Sequence, residues 1–306
     1  MTTDRFHCQK PCRVLIFSSP KAGSGKRREQ VPRLIRLLSE NEIESLLVQS
    51  VAQLKEELLK EEFDHVVVAA GGDGTISLAA SIATSEVPIV PMPLGTENLL
   101  AKEFGHSAEA EAVIMTIRHG SSFQMDAGVA NLRPFLIMAT CGFDAEVVRG
   151  MHLTRRGHIR RWSYFRPIVR ALLKYRFPKL TVRVDDQEPH ECGWAMVFNL
   201  PRYAAGLKIE PDAVGDDGQL DVILFDGKTV FHGLKYLVGI WLGSHLNSRD
   251  VTRLRGRKVE IVSDARVPYE MDGDYAGRLP LSINTLAGRV HLLLPPVPTD
   301  GLPQTA

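Results

Sequence analysis

The 306-residue sequence predicts a parallel α/β domain followed by a mainly antiparallel β domain. Three observations carry this. Strand-like and helix-like segments alternate through the first third, which implies a parallel sheet covered by helices. After about residue 122, short strand-like runs separated by Asp-Gly turns take over. Glycine-rich turns also follow three of the early strands.

Arg13 to Ser18 is an apolar run of strand length, and Lys26 to Glu40 carries leucine and isoleucine at helical spacing. Ser45 to Gln49 reads as a strand, Val51 to Glu62 as a helix, and the valine-rich Asp64 to Ala70 as a third strand. A helix from about Thr75 to Thr84 and a strand at Pro88 to Met92 complete the alternation. Strands are then expected at 135–140, 180–184, 195–200, 220–225, 258–262, 281–284 and 289–294. Helices are expected at 161–175 and 229–242. These patterns assign residues 10–122 to the first domain, 123–295 to the second and 296–306 to a tail.

The composition, 44% hydrophobic and 24% charged with a net charge of +1, is that of an ordinary globular chain and names no partner. Met1 to Lys10 is polar, so no secretory signal is expected and a cytoplasmic location follows. The most apolar stretch, near Gly233 to Gly243, is about half the length needed to span a bilayer. A membrane substrate would then be met from the surface. The four cysteines are irregularly spaced and announce neither a zinc site nor a disulfide framework.

The strongest local signal is Gly71-Gly72-Asp73-Gly74-Thr75, directly after a buried strand and before a helix. Glycine permits a tight turn and close ligand approach, and the helix start directs N–H groups at an anion such as phosphate. Asp73 can orient a neighbouring lysine, water or metal. A second loop, Ser18 to Lys26, lies at the carboxyl end of the first strand but lacks the P-loop spacing. A third, Pro93-Leu94-Gly95-Thr96-Glu97-Asn98, follows the fourth strand. Three such loops on one sheet edge point to a nucleotide site.

In order, these segments resemble the diacylglycerol kinase catalytic-domain family, which includes bacterial lipid kinases, sphingosine kinases and ceramide kinases. Ser19-Pro20-Lys21-Ala22-Gly23 is similar to its Asn-Pro-x-x-Gly loop, and Gly71 to Thr75 to its Gly-Gly-Asp-Gly-Thr string. Pro93 to Asn98 with Ala101-Lys102 resembles a third motif. Gly142-Phe143-Asp144-Ala145, Asp217-Gly218 with Leu220-Asp221, and Asp272-Gly273-Asp274 resemble landmarks of its second domain. The resemblance implies a Rossmann-like three-layer α/β domain plus an all-β sandwich. It also implies ATP held by Ser19, Pro20, Lys21, Ala22, Gly23, Gly71, Gly72, Asp73, Gly74, Thr75 and Ile76, with Ser50, Gly95, Thr96 and Asn98 beside them. A structural magnesium would be held by Asp217 and the carbonyls of Val214 and Gln219. Asp272 and Asp274 would be the catalytic carboxylates, with Asp73 assisting. The family usually has glutamate where this chain has Asp274. Ser19 replaces an asparagine, and Leu99 an aspartate that many bacterial members carry.

Between Val147 and Val184 eleven lysines or arginines and no acid occur among aromatic residues. The densest part is Arg155, Arg156, Arg160, Arg161 and Arg166, which suits docking on an anionic leaflet. No nucleic-acid module accompanies it. The expected activity is ATP- and magnesium-dependent phosphorylation of a lipid hydroxyl, diacylglycerol-like or related, at a membrane surface. An NAD kinase shares the Gly-Gly-Asp-Gly-Thr loop, and a catalytically weak lipid- or nucleotide-binding regulator is a third reading. A homodimer has no sequence feature behind it.

Overall fold

The computed structural model describes residues 12–18, 27, 29–154, 177–227 and 229–296. The chain divides into one unit formed by residues 1–124 with 290–306 and another formed by residues 125–289.

In the first unit, strands β1 (Cys12–Ser18), β2 (Glu44–Val48), β3 (Asp64–Gly71) and β4 (Ile89–Pro93) are parallel, in the order β2-β1-β3-β4. Between them run helices α1 (Gln30–Glu40), α2 (Val51–Leu58) and α3 (Asp73–Ile82). Two further helices, α4 (Leu99–Glu103) and α5 (Ala110–His119), follow β4. From His65 to Gly71 every residue of β3 is buried, as a strand covered on both faces must be. Val14, Ile16, Val66, Val68 and Val90 pack with Leu34 and Leu38 of α1 and Val113 and Ile117 of α5. Neighbouring positions on the strands, such as Leu15 and Val67, are equally buried.

The second unit begins within β5 (Ser121–Ala130), followed by β6 (Arg133–Phe135), β7 (Met138–Cys141) and α6 (Phe143–Thr154). Then come β8 (Leu180–Val184), β9 (His190–Cys192), β10 (Trp194–Phe198) and β11 (Leu220–Phe225). Helix α7 (Val230–Trp241) precedes β12 (Val251–Gly256), β13 (Lys258–Val262), β14 (Pro268–Met271), β15 (Asp274–Arg278) and β16 (Leu281–Leu294). Six of these form one antiparallel sheet, β12-β11-β10-β7-β14-β15. β8 pairs antiparallel with β9 and β13, and β13 with β16. The core is the filling of a sandwich: Leu180, Val182, Val259, Ile261 and Ile283 pack with Ala139, Val197, Val222, Leu224 and Met271. The other face of the six-stranded sheet is also covered. Trp194 stacks on Phe225 with centroids 4.5 Å apart, Phe225 meets Tyr236 of α7 at 4.8 Å, and Phe143 of α6 meets Trp194 at 5.8 Å.

Two sequence expectations change. The runs at 281–284 and 289–294 are one strand, β16, whose exposed middle, including Gly288 at φ +57°, reads as a break. The end of that strand belongs to the first unit: Leu292 pairs parallel with Ile89 of β4, and Leu293 enters the core beside Val90. The second domain therefore does not extend unbroken to residue 295. The expected helix at 161–175 and most of the tail lie outside the described residues.

Candidate functional site

At the carboxyl edge of the parallel sheet, β1 ends at Ser18, β2 at Val48, β3 at Gly71 and β4 at Pro93. In the order β2-β1-β3-β4 the chain leaves β1 towards one side and β3 lies on the other. That reversal opens a crevice at the strand ends, where open α/β sheets take ligands.

Gly72 precedes the first residue of α3 in an extended conformation, and no side chain caps that helix start. Thr75 N donates to Gly72 O at 2.9 Å, and the N–H groups ahead of it at this helix start suit an anion in kind. The loop after β4 is pressed against this turn. A Cβ on Gly95 would lie 2.6 Å from the Gly72 Cα, and one on Gly71 would lie 2.1 Å from Thr75 Oγ1, so both positions require glycine.

Asp73 ties the two loops together. Its Oδ2 accepts from Leu99 N at 3.0 Å and its Oδ1 from Leu100 N at 3.1 Å. It thereby satisfies the start of α4, the place where an N-cap carboxylate is most favourable. Burial raises the Asp73 carboxyl above its ordinary value, and the two N–H bonds and Lys102 oppose the rise. The sequence suggested that Asp73 orients a lysine, water or metal. The structure shows it bound to backbone amides, with its charge near Lys102.

Asn98 sits at φ +49° and donates from Nδ2 to Gly95 O at 2.9 Å. Its Oδ1 is buried and has no hydrogen-bond partner among the described residues. Such an orphan acceptor at the meeting of two glycine turns fits a ligand with a donor, as a nucleotide has. Arg27 donates to the same Gly95 carbonyl at 2.6 Å. Thr96 is exposed on the loop, while Leu99 is buried and contributes its backbone N–H to Asp73. Ser50 caps α2, accepting from Gln53 N at 3.1 Å. Ser19, Pro20, Lys21, Ala22 and Gly23 lie outside the described residues.

In the second unit, Asp272 and Gly273 form the two-residue connection of the β14–β15 hairpin, and Met271 pairs with Asp274. Both connecting residues have positive φ, +48° and +86°, as a type I′ turn requires. Two residues two apart would face the same side of one extended strand, but Asp272 and Asp274 are not so placed: the turn separates them. The Asp272 carboxylate accepts from Leu136 N at 2.9 Å, Ile137 N at 2.9 Å and Met138 N at 3.1 Å. Asp274 is exposed, and its carboxylate makes no hydrogen bond or ion pair among the described residues.

Behind this turn lies an acid pair that sequence reasoning did not single out as a unit. Glu270 and Asp144 are both buried, and Thr140 Oγ1 lies between them, 3.0 Å from Glu270 Oε1 and hydrogen-bonded to Asp144 Oδ2. A hydroxyl has one proton to donate, so one of the two acids must be protonated and donate to it. Burial, with the Asp144 charge next, raises the Glu270 carboxyl well above its usual range. Asp144 is the better anion because Trp194 Nε1 at 2.7 Å and Tyr203 OH at 3.1 Å also donate to it. Glu270 Oε2 accepts from Gly273 N at 2.7 Å, so the pair anchors the turn that carries Asp274.

The turn expected to hold magnesium is organised by Asp126, which is buried and accepts from Gly218 N at 2.6 Å and Gly288 N at 2.8 Å. Asp217 Oδ1 accepts from Gln219 N at 2.9 Å, and its Oδ2 is ion-paired with Arg255. One carboxylate with the carbonyls of Val214 and Gln219 suits a hard cation in kind. A cation would, however, have to displace the Arg255 guanidinium. No group of three acidic, histidine or cysteine side chains among the described residues is placed to hold a metal. Arg155, Arg156, Arg160, Arg161 and Arg166 lie outside the described residues. Among the described residues no helix is long and apolar enough to cross a membrane.

Comparison with known proteins agrees with this architecture. Residues 13–130 match the diacylglycerol kinase catalytic domain, and residues 138–294 match the YegS C-terminal NAD kinase beta sandwich-like domain. A diacylglycerol kinase of Mycobacterium tuberculosis is 29% identical over 241 residues, covering 75% of this chain and 76% of that one. One from Staphylococcus haemolyticus is 23% identical, covering 78% and 74%. An uncharacterized Synechocystis protein is 21% identical, and the match spans 56% of its length. A diacylglycerol kinase crystal structure from Bacillus anthracis superposes with a TM-score of 0.66 at 17% identity, covering 94% of this chain and 98% of that one. Yeast NADH kinase in complex with NADH superposes at 0.53 and 10% identity, covering 95% and 86%. These two solved structures speak for the fold. The chain belongs to the diacylglycerol kinase catalytic-domain family, with its NAD-kinase-like β-sandwich second domain.

Proposed function

We propose that this chain transfers the γ-phosphoryl group of ATP, with magnesium, to a hydroxyl group of a membrane lipid. The observation that carries the reading is the meeting of two glycine turns at the parallel-sheet edge. There Gly72 abuts Gly95, the start of α3 is uncapped by any side chain, and the Asn98 Oδ1 is buried without a partner. The groups suited to a triphosphate are backbone N–H groups of Gly72 to Gly74 and, by resemblance, of the loop after β1. Magnesium, when bound, would offset charge on the phosphates.

Phosphoryl transfer asks a protein mainly to position groups and to accept one proton. In this reading the lipid hydroxyl oxygen forms the new bond to γ-phosphorus. The bond from γ-phosphorus to the bridging oxygen breaks, ADP leaves, and the hydroxyl proton passes to the Asp274 carboxylate. Asp274 suits that role because it is exposed and uncommitted. Asp272 and Asp73 act as positioning residues, since both carboxylates are spent on backbone amides. The diacylglycerol kinase names of the relatives support a lipid acceptor, and the buried Leu99 marks where its identity can differ.

A second reading, phosphorylation of NAD, has the β-sandwich match and the NADH kinase fold likeness behind it. The test is transfer of labelled γ-phosphate from ATP and magnesium to diacylglycerol, sphingoid-base, phosphatidylglycerol and polyprenol acceptors, with NAD in parallel. A labelled lipid with NAD unlabelled is the expected result. Labelled NADP would replace the proposal with the second reading. ATP binding with no labelled acceptor would point to a regulator.

A further inference from the structure

Helix α7 presents an apolar stripe to solvent. Phe231 is 84% exposed, Leu234 49%, Val238 48%, Trp241 75% and the following Leu242 63%. At about 100° per residue these five fall within an arc of about 100°. The opposite side, Gly233, Tyr236 and Ile240, is the side that packs on the sandwich. Tyr236 fixes the helix there: its OH accepts from Gly227 N at 2.8 Å and donates to Asp250 Oδ2 at 2.8 Å, and its ring meets Phe225. Thr229 caps the start of the helix. A surface helix of a globular domain ordinarily turns charged residues to solvent. This one is fastened by its inner side and apolar on its outer side.

No acidic residue occurs from Lys228 to Arg249, a stretch that holds Lys235 and Arg249. Lys235 borders the stripe and is paired with Asp250, and Arg249 is exposed without an ion pair among the described residues. Phe231 stands at one end of the helix and Trp241 at the other, about 15 Å apart. Large aromatic rings beside Lys235 and Arg249, on a helix that carries no carboxylate of its own, match the headgroup layer of an anionic bilayer.

We propose that α7 lies flat on an anionic lipid surface, seating Phe231, Leu234, Val238, Trp241 and Leu242 among the lipids. This deepens the lipid-kinase reading and rests on it for the reason a bilayer is met. Docking itself needs no ATP, so it can be measured alone.

The experiment is flotation of the full chain with phosphatidylcholine vesicles, with and without phosphatidylglycerol, for the parent, the triple variant Phe231→Ser/Val238→Ser/Trp241→Ser, and Lys235→Glu. All three sites of the triple variant are exposed, and an unchanged thermal unfolding temperature checks its fold. The parent should float with anionic vesicles, and the triple variant should bind them about tenfold more weakly or worse. Lys235→Glu should weaken binding to the anionic vesicles alone. Flotation of the triple variant equal to the parent would overturn the proposal, because another surface then carries the binding. A parent that is dimeric by light scattering and a monomeric triple variant that still floats would assign the stripe to a second copy instead. Lipid in detergent micelles separates the two ideas. Turnover there with no role for α7 in flotation removes the docking and keeps the kinase. Flotation that depends on α7, with no lipid phosphorylated, does the reverse.

Discussion

Replacing Asp272 by alanine should cost stability as well as activity. Its carboxylate accepts three backbone N–H bonds, from Leu136, Ile137 and Met138. Hydrogen bonds to a charged group contribute about 1.5–3 kcal/mol each when buried, but Asp272 is only half-buried and water can reach the vacated donors. About 1 kcal/mol per bond is the reasonable figure. The residue also sits at φ +48°, where aspartate is tolerated better than alanine, which adds about 1 kcal/mol. The sum, about 3–4 kcal/mol, lowers the unfolding temperature by about 6–16 °C at about 2–4 °C per kcal/mol for a domain of this size. Asp272→Asn keeps one acceptor oxygen and the turn preference, so it should lose about half as much. Asp274→Ala is the control. An exposed residue changes stability by about 0.5 kcal/mol or less, yet losing a general base slows turnover about 10²–10⁴-fold. Calorimetry and label transfer on the same preparations decide. An Asp272→Ala protein that melts with the parent would refute the anchoring argument, and unaltered turnover in Asp274→Ala would remove Asp274 as the base.

Other consequences are equally direct. Gly95→Ala puts a Cβ 2.6 Å from Gly72 and should abolish ATP binding, while Gly74→Ala, with nothing within 4 Å, should leave the unfolding temperature in place; equilibrium dialysis and thermal melts read the two. Glu270→Gln should be tolerated within about 1 kcal/mol, since the amide can donate to Thr140 and accept from Gly273. Asp144→Asn should cost about 2–3 kcal/mol by setting an NH2 group against a donor, which urea unfolding would resolve. Burial lowers His106 to about 4, and its Nε2 has no partner among the described residues. The unfolded chain therefore binds the extra proton between about pH 4 and 6.5, so stability falls as pH drops through that window. His106→Gln should flatten this acid slope in urea midpoints measured from pH 4.5 to 7.5, and parallel curves for the two proteins would reject the assignment.

The strands of the parallel sheet were legible because β1, β3 and β4 are buried on both faces and therefore read as unbroken apolar runs. The glycine turns were legible because their function is conformational, and glycine is the residue that performs it. What escaped was long-range. Helix α5 is amphipathic, with Val113 and Ile117 packing beside Leu34 of α1, but a sequence reading focused on the preceding loop passes over it. Glu270 occupies a strand position whose neighbours alternate, and an acid there looks like the solvent side. It is buried because α6 covers that face of the sheet, and nothing local announces a cover supplied more than a hundred residues earlier. Asp126 is similar: its partners, Gly218 and Gly288, are remote in sequence. An acid that caps distant amides and an acid that does chemistry are the same letter.

That ambiguity is what the geometry reduces. Asp73, Asp126, Asp144, Glu270 and Asp272 each hold backbone amides or buried side-chain donors, and each is at least half-buried. A carboxyl group committed to such donors, or sharing a proton as Glu270 and Asp144 do through Thr140, yields little as a proton acceptor for a substrate, because a change of protonation breaks the bonds that fix the loop. Asp274 stands exposed and uncommitted on a hairpin whose connection is fastened by Asp272 from one side and Glu270 from the other. The rigidity lies in the buried acids and the reactivity in the exposed one. Shortening glutamate to aspartate at 274 is tolerable on this account, because the hairpin rather than the side chain sets the reach. Asp274→Glu should then retain turnover that Asp274→Asn loses, with both variants melting alongside the parent. Equal loss in the two would mean that position, not proton transfer, is what residue 274 supplies.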